Sequence, residues 1–158
     1  QGMIAGFEDI TVLNELMGKY ACPDGRNDPI GGERWETIFK EYEKNRKPNT
    51  DAIAELALQN FIEMRDLVGN PKFLARKNLE RKIHKLYPDK FTPLYSMVMF
   101  SHIPYAEAMR IGKEQDKMLK EITTIENIEQ KWDSEEVESL IDELIQNKYA
   151  QSFIPSDS

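Results

Sequence analysis

The stretch PNTDAIAELALQNFIEMRDLVGNP, residues 48–71, carries the longest apolar periodicity in the chain and decides how the rest is read. Pro48 followed by Asn49, Thr50 or Asp51 is a good helix start. Ile53, Leu56, Ala57, Phe61, Met64, Leu67 and Val68 then recur at helical spacing as one stripe about five turns long. Gly69, Asn70 and Pro71 end it. One polar residue, Asn60, lies on or beside this stripe, a turn from Leu56 and a turn from Met64. An unpaired buried amide costs about 1–3 kcal/mol, so Asn60 is expected to find partners. Two readings stand: a structural hydrogen bond to a neighbouring loop, which periodicity alone favours, or a polar anchor in an apolar ligand pocket.

Upstream, Trp35, Ile38, Phe39 and Tyr42 form a shorter amphipathic helix, expected to stop before NRKPNT (residues 45–50). PDGRNDPIGG (residues 23–32) reads as a loop. Before it, Ile10, Leu13, Leu16, Met17 and Tyr20 make the first helix, with Glu8 and Asp9 in its first turn. The opening QGMIAGFEDI (residues 1–10) places small residues, Gly2, Ala5 and Gly6, ahead of that turn. Such a start lets backbone approach a ligand closely and points a positive helix end at it.

Downstream, PKFLARKNLERKIHKLY (residues 71–87) is a basic helix with Leu79, Ile83 and Leu86 inward. TPLYSMVMFSH (residues 92–102) breaks the pattern. Its aromatic, methionine-rich apolar run reads as a short strand near residues 93–101, with Tyr95, Met97 and Met99 on one face. Pro104 opens a helix bearing Tyr105, Ala108, Met109 and Leu119. In DSEEVESLIDELIQNKY (residues 133–149), Asp133 or Ser134 can cap a helix that buries Val137, Leu140, Ile141, Leu144 and Ile145. SFIPSDS (residues 152–158) reads as a frayed tail. The fold class is mainly α: six helices and one short strand.

Composition narrows the function. A net charge of −7 over 158 residues argues against nucleic acid as the main partner. One cysteine, Cys22, excludes an internal disulfide framework and fits a reducing, cytoplasmic compartment. No apolar run is long enough for a membrane span, and the start lacks the basic and apolar regions of a secretory signal. His84 and His102 are far apart without ligands at metal spacing, so no metal site is expected. Neither a nucleophile–base motif nor a phosphate loop appears, and no catalytic residue is assigned.

Three blocks taken together, QGMIAGFED at the start, RKPNTDAIAELALQNFIEMRD in the long helix and FTPLYSMVMFSHIPYAEAM after the basic helix, resemble the kynurenine 3-monooxygenase family. The likeness is to the C-terminal third of those FAD-dependent aromatic hydroxylases and covers residues 1 to about 122. It implies an enzyme that uses FAD and NADPH to convert L-kynurenine to 3-hydroxykynurenine, in which this chain is one part. Three regions follow: 1–20, the trailing edge of the FAD-binding domain and its helix; 21–122, a helical segment lining the substrate pocket; and 123–158, an acidic helical extension. The resemblance puts Gln1, Gly2, Met3, Ile4, Ala5 and Gly6 beside the flavin, with Ile4 where the family pattern has Asn. It puts Asn60 and Tyr95 on the amino-acid carboxylate of the substrate and Met64 in the pocket lining. The strand–GxGxxG–helix unit that grips FAD is absent, so the flavin site is incomplete and the isolated chain is expected to be inactive and to self-associate. The rivals are a related hydroxylase with another substrate and a non-catalytic helical interaction module.

Overall fold

Residues 2–20, 31–67, 69–153 and 155 are described by the computed structural model, with backbone only at 66 and 67. Gln1, the loop reading over residues 23–30, Cys22 and Val68 lie outside them. The elements are α1 (Gly2–Tyr20), α2 (Gly32–Ile62) continued by a π-helical turn (Glu63–Leu67), α3 (Pro71–Leu86), α4 (Leu94–Phe100), α5 (Tyr105–Ile122), α6 (Ile128–Lys131) and α7 (Glu135–Glu143), itself continued by a π turn (Leu144–Lys148). Among the described residues there is no strand, and the fold is mainly α. Chain contacts group into two units, Gln1–Glu55 and Leu56–Ser158, with the boundary inside α2.

In the first unit, Leu16 of α1 and Ile38 of α2 are buried, flanked by Val12, Leu13, Met17, Tyr20, Trp35 and Tyr42. α1 begins at Gly2, well before the acidic pair expected in its first turn. Glu8 and Asp9 are instead engaged by Arg46, whose guanidinium reaches Asp9 Oδ1 at 2.6 Å and Glu8 Oε2 at 3.3 Å. The expected break before residues 45–50 does not occur. α2 runs through Pro48 although an interior proline removes one ladder bond and costs about 3 kcal/mol. Side chains stitch the turns around it: Asn49 Nδ2 donates to Asn45 O, Thr50 Oγ1 donates to Arg46 O, and Lys47 pairs with Asp51 at 2.6 Å.

The second unit is built on one apolar core shared by α3, α4, α5, α6 and α7. Asn70 caps α3, its Oδ1 accepting from Lys72 and Phe73 N–H, with Pro71 at the first helical position. Leu79 and Ile83 are fully buried, whereas Leu86 is exposed. Ser134 caps α7 through the Val137 N–H, as its sequence position implies. Phe153 corrects the frayed-tail expectation: it is buried, edge-on to Phe91 and stacked on Tyr149. Ile128, Val137, Ile141, Ile145 and Phe153 thus share the core with α3 and α5.

The strand expected near residues 93–101 is a helix, α4. Over seven residues apolar content cannot distinguish the two, and burial decides. Leu94, Met97 and Val98, at i, i+3 and i+4, face the core, and Pro93 O accepts from Met97 N–H to open the helix. α4 lies so close to α5 that a Cβ at Gly112 would sit 2.7 Å from Leu94 Cδ2. The buried Gln115 amide donates to Thr92 O at 2.8 Å and holds the segment entering α4.

Candidate functional site

α2 and α4 carry the three residues singled out as a substrate clamp. Their surroundings differ from the expectation of an inward stripe. Ile53 and Leu56 are buried, but Ala57, Asn60, Phe61 and Met64 are exposed. Asn60 is therefore not an amide seeking a partner in a packed core. Its Nδ2 contacts Met64 Sδ at 3.9 Å, a weak interaction along its own helix. Tyr95 is 57% exposed on α4, and Met64 is 68% exposed. Apolar neighbours share this exposure: Leu58, Phe61 and Ile62 follow one another at i, i+3 and i+4 along α2.

Tyr95 lines a cavity of about 350 Å³ together with Gln59, Glu63, Phe73, Arg76 and Asp116. Gln59 of α2 precedes Asn60 and Glu63 of the π turn follows it by three residues, so this cavity adjoins the expected clamp without including Asn60 or Met64. Most of its charged side chains are paired. Arg76 pairs with Asp116 at 2.6 Å and with Glu80 at 3.5 Å, and Lys77 reaches Glu63 and Glu80 at 3.4 and 3.2 Å. Burial would raise the Asp116 carboxyl, but Lys120 and Arg76 outweigh it and hold the pKa below the usual value. Glu63 opens the π turn, and single π turns inside α-helices are frequent at functional sites. Nothing in the sequence signals that turn.

At the start of α1, Met3 and Ile4 are exposed, and a Cβ added at Gly2 or Gly6 would meet nothing within 4 Å. Ala5 is buried. Sequence reasoning missed Arg46, although a signal existed. Ile38, Tyr42 and Arg46 are spaced four apart, which places the arginine on the face that buries Ile38. The Nδ1–H of His84 donates to the Phe91 carbonyl, 2.7 Å away. Among the described residues no helix is long and apolar enough to cross a membrane.

No family model matches the chain. Individual relatives do. Over 148 residues the chain is 49% identical to kynurenine 3-monooxygenase of Flavobacterium psychrophilum, covering 94% of this chain and 31% of that protein. The enzyme of the same name from Flavobacterium johnsoniae is 48% identical over 146 residues, covering 92% and 30%. That of Dictyostelium discoideum is 40% identical over 123 residues, covering 77% and 27%. The chain is a segment of a kynurenine 3-monooxygenase family sequence. It spans about a third or less of the length of these curated relatives. The match to the Flavobacterium psychrophilum protein extends past residue 122, the limit of the family resemblance read from the sequence, because 148 aligned residues leave at most ten unmatched. In kynurenine 3-monooxygenase terms, the chain's exposed apolar helix faces belong to a piece about one third of the whole.

Proposed function

We propose that this chain is the C-terminal portion of an FAD- and NADPH-dependent monooxygenase that hydroxylates L-kynurenine to 3-hydroxykynurenine. The observation that carries the reading is 48–49% identity, across more than nine-tenths of the chain, to proteins named for that activity. In this reading Asn60 and Tyr95 hydrogen-bond the amino-acid carboxylate of the substrate, and Met64 lines the pocket. Their exposure here supports it: each offers a side chain free of strong partners on a face that the remaining two-thirds of the protein would cover. Three regions follow, 1–20 at the flavin, 21–122 along the substrate, and 123–158 as an acidic helical extension.

The residues at the chain start fit a flavin. The open space around Gly2 and Gly6 lets a ligand approach the backbone closely. The residues proposed to hold the flavin are Gln1, Gly2, Met3, Ile4, Ala5 and Gly6, whose N–H groups and helix dipole favour negative charge on its reduced form. FAD, when bound, supplies the reducing power that activates O₂ for insertion at the aromatic ring. The work of this chain is to orient the ring by fixing the carboxylate at its far end and to exclude water with the apolar face of α2.

The test is to express the protein with its upstream domains and assay NADPH-dependent formation of 3-hydroxykynurenine. A full-length protein that binds FAD yet leaves kynurenine unchanged would overturn the assignment and leave a hydroxylase of another aromatic acid or a non-catalytic module.

A further inference from the structure

Among the described residues of the first unit, Arg46 is the one buried arginine, with 7% of its surface exposed. Its guanidinium makes three hydrogen bonds to α1. Nε donates to Asp9 Oδ1 at 2.6 Å, and Nη2 donates to Glu8 Oε2 at 3.3 Å and to the Ala5 carbonyl at 3.4 Å. Positions 5, 8 and 9 lie at i, i+3 and i+4, on one face of α1. The guanidinium therefore grips the N-terminal turns of that helix, adjacent to the segment that the functional reading gives to the flavin. Its fork geometry matters. A planar donor can serve two carboxylates and a carbonyl at once, which an ammonium on a flexible stem cannot do with equal direction. Burial works against the charge, but Asp9 and Glu8 more than compensate, so the guanidinium stays protonated.

The arrangement has an electrostatic side as well. Glu8 and Asp9 place two negative charges within the early turns of α1, and Arg46 cancels one of them. Without it, the two carboxylates oppose the positive field of the helix start.

We infer that Arg46 is a positioning residue for the N-terminal turns of α1, holding their backbone in place and screening their carboxylates. Its bearing on the flavin rests on the functional reading above; its grip on α1 does not. Arg46→Met, Arg46→Lys and the milder Asp9→Asn are made in the full-length holoenzyme. Asp9→Asn removes one partner while Glu8 remains, which keeps a folded variant available if Arg46→Met fails to fold. Hydrogen exchange over residues 5–10, FAD affinity and flavin reduction potential are measured on each. Arg46→Met is expected to speed exchange over residues 5–10 at least tenfold relative to α5 and to raise the FAD dissociation constant at least tenfold. Reduced flavin should lose about tenfold more affinity than oxidised flavin, a shift of about 30 mV to more negative potential for a two-electron couple. Arg46→Lys should recover the potential in part and the exchange protection less, because charge returns without the fork. Asp9→Asn should speed exchange to a lesser degree than Arg46→Met. Unchanged exchange over residues 5–10 in both Arg46→Met and Asp9→Asn would overturn the inference. Faster exchange with unaltered flavin affinity and potential would uphold Arg46 as the holder of α1 and refute the flavin reading of that helix.

Discussion

Replacing Asn60 with Ala or Tyr95 with Phe in the full-length protein separates binding from stability, and the structure states by how much. Asn60 contributes little to the fold. Its side chain is exposed and makes one 3.9 Å contact to a thioether, itself exposed. Alanine is a better helix former than asparagine by roughly 0.5 kcal/mol, so Asn60→Ala should leave the melting temperature unchanged or raise it slightly. Tyr95, more than half exposed on α4, should lose its hydroxyl at a cost within about 0.5 kcal/mol, as for other surface substitutions. Against this, losing a hydrogen bond to a charged carboxylate costs about 1–3 kcal/mol, which weakens kynurenine binding about 5- to 140-fold. A misplaced ring should also uncouple NADPH oxidation from hydroxylation, because the reaction depends on close approach of the reacting atoms. FAD content should be unaffected. The assay pairs a kynurenine titration with a thermal melt of the same sample, and product formed per NADPH consumed is read alongside. Unchanged affinity in variants that melt like the parent would remove Asn60 and Tyr95 from the substrate site. A lower melting temperature with unchanged affinity would mean that their role is structural.

Three further outcomes are expected. Phe153→Ala should destabilise the chain by about 3–5 kcal/mol, the range for a buried phenylalanine, and a melt that matches the parent would return Phe153 to a frayed end. Burial and the Glu121 carboxylate raise the Tyr149 pKa to about 12 from 10.0. Its contribution to stability is therefore full below pH 10.0 and is lost as pH rises towards about 12, and Tyr149→Phe should flatten that alkaline decline in a denaturant series. The isolated 158-residue chain should neither retain FAD through gel filtration nor remain a monomer at high concentration. A single helix start is worth only about 0.3–2 kcal/mol to an anion, and Leu58, Phe61 and Phe100 expose apolar surface, so a yellow eluate or a monomer by light scattering would contradict this.

Local chemistry alone was enough to place several elements. Val137, Ile141 and Ile145 recur at four-residue spacing and are buried, and Ser134 caps their helix through a bond that any helix of that sequence can make. Asn70 with Pro71 opens α3 in the same way, and the helix opened after Pro104 begins at Tyr105. These features depend on residues within a turn or two of one another, so no distant partner is needed to form them. Elsewhere the sequence left two outcomes that differ only in what lies opposite. Leu94, Met97 and Val98 suit a strand or a helix until α5 packs against them, with Gly112 making room for Leu94. Pro48 reads as a start, yet α2 continues through it because neighbouring side chains bridge the gap and buried residues lie on either side. Arg46 falls in NRKPNT, where the sequence predicts the helix to have stopped, and only the tertiary structure brings Glu8 and Asp9, 38 and 37 residues away, to its guanidinium. The apolar stripe around Asn60 marks the opposite limit. Periodicity identifies a face that must be covered, but whether its cover lies in the same stretch of chain is a matter of tertiary contacts. Here Ile53 and Leu56 are covered, and Phe61 and Met64 are not.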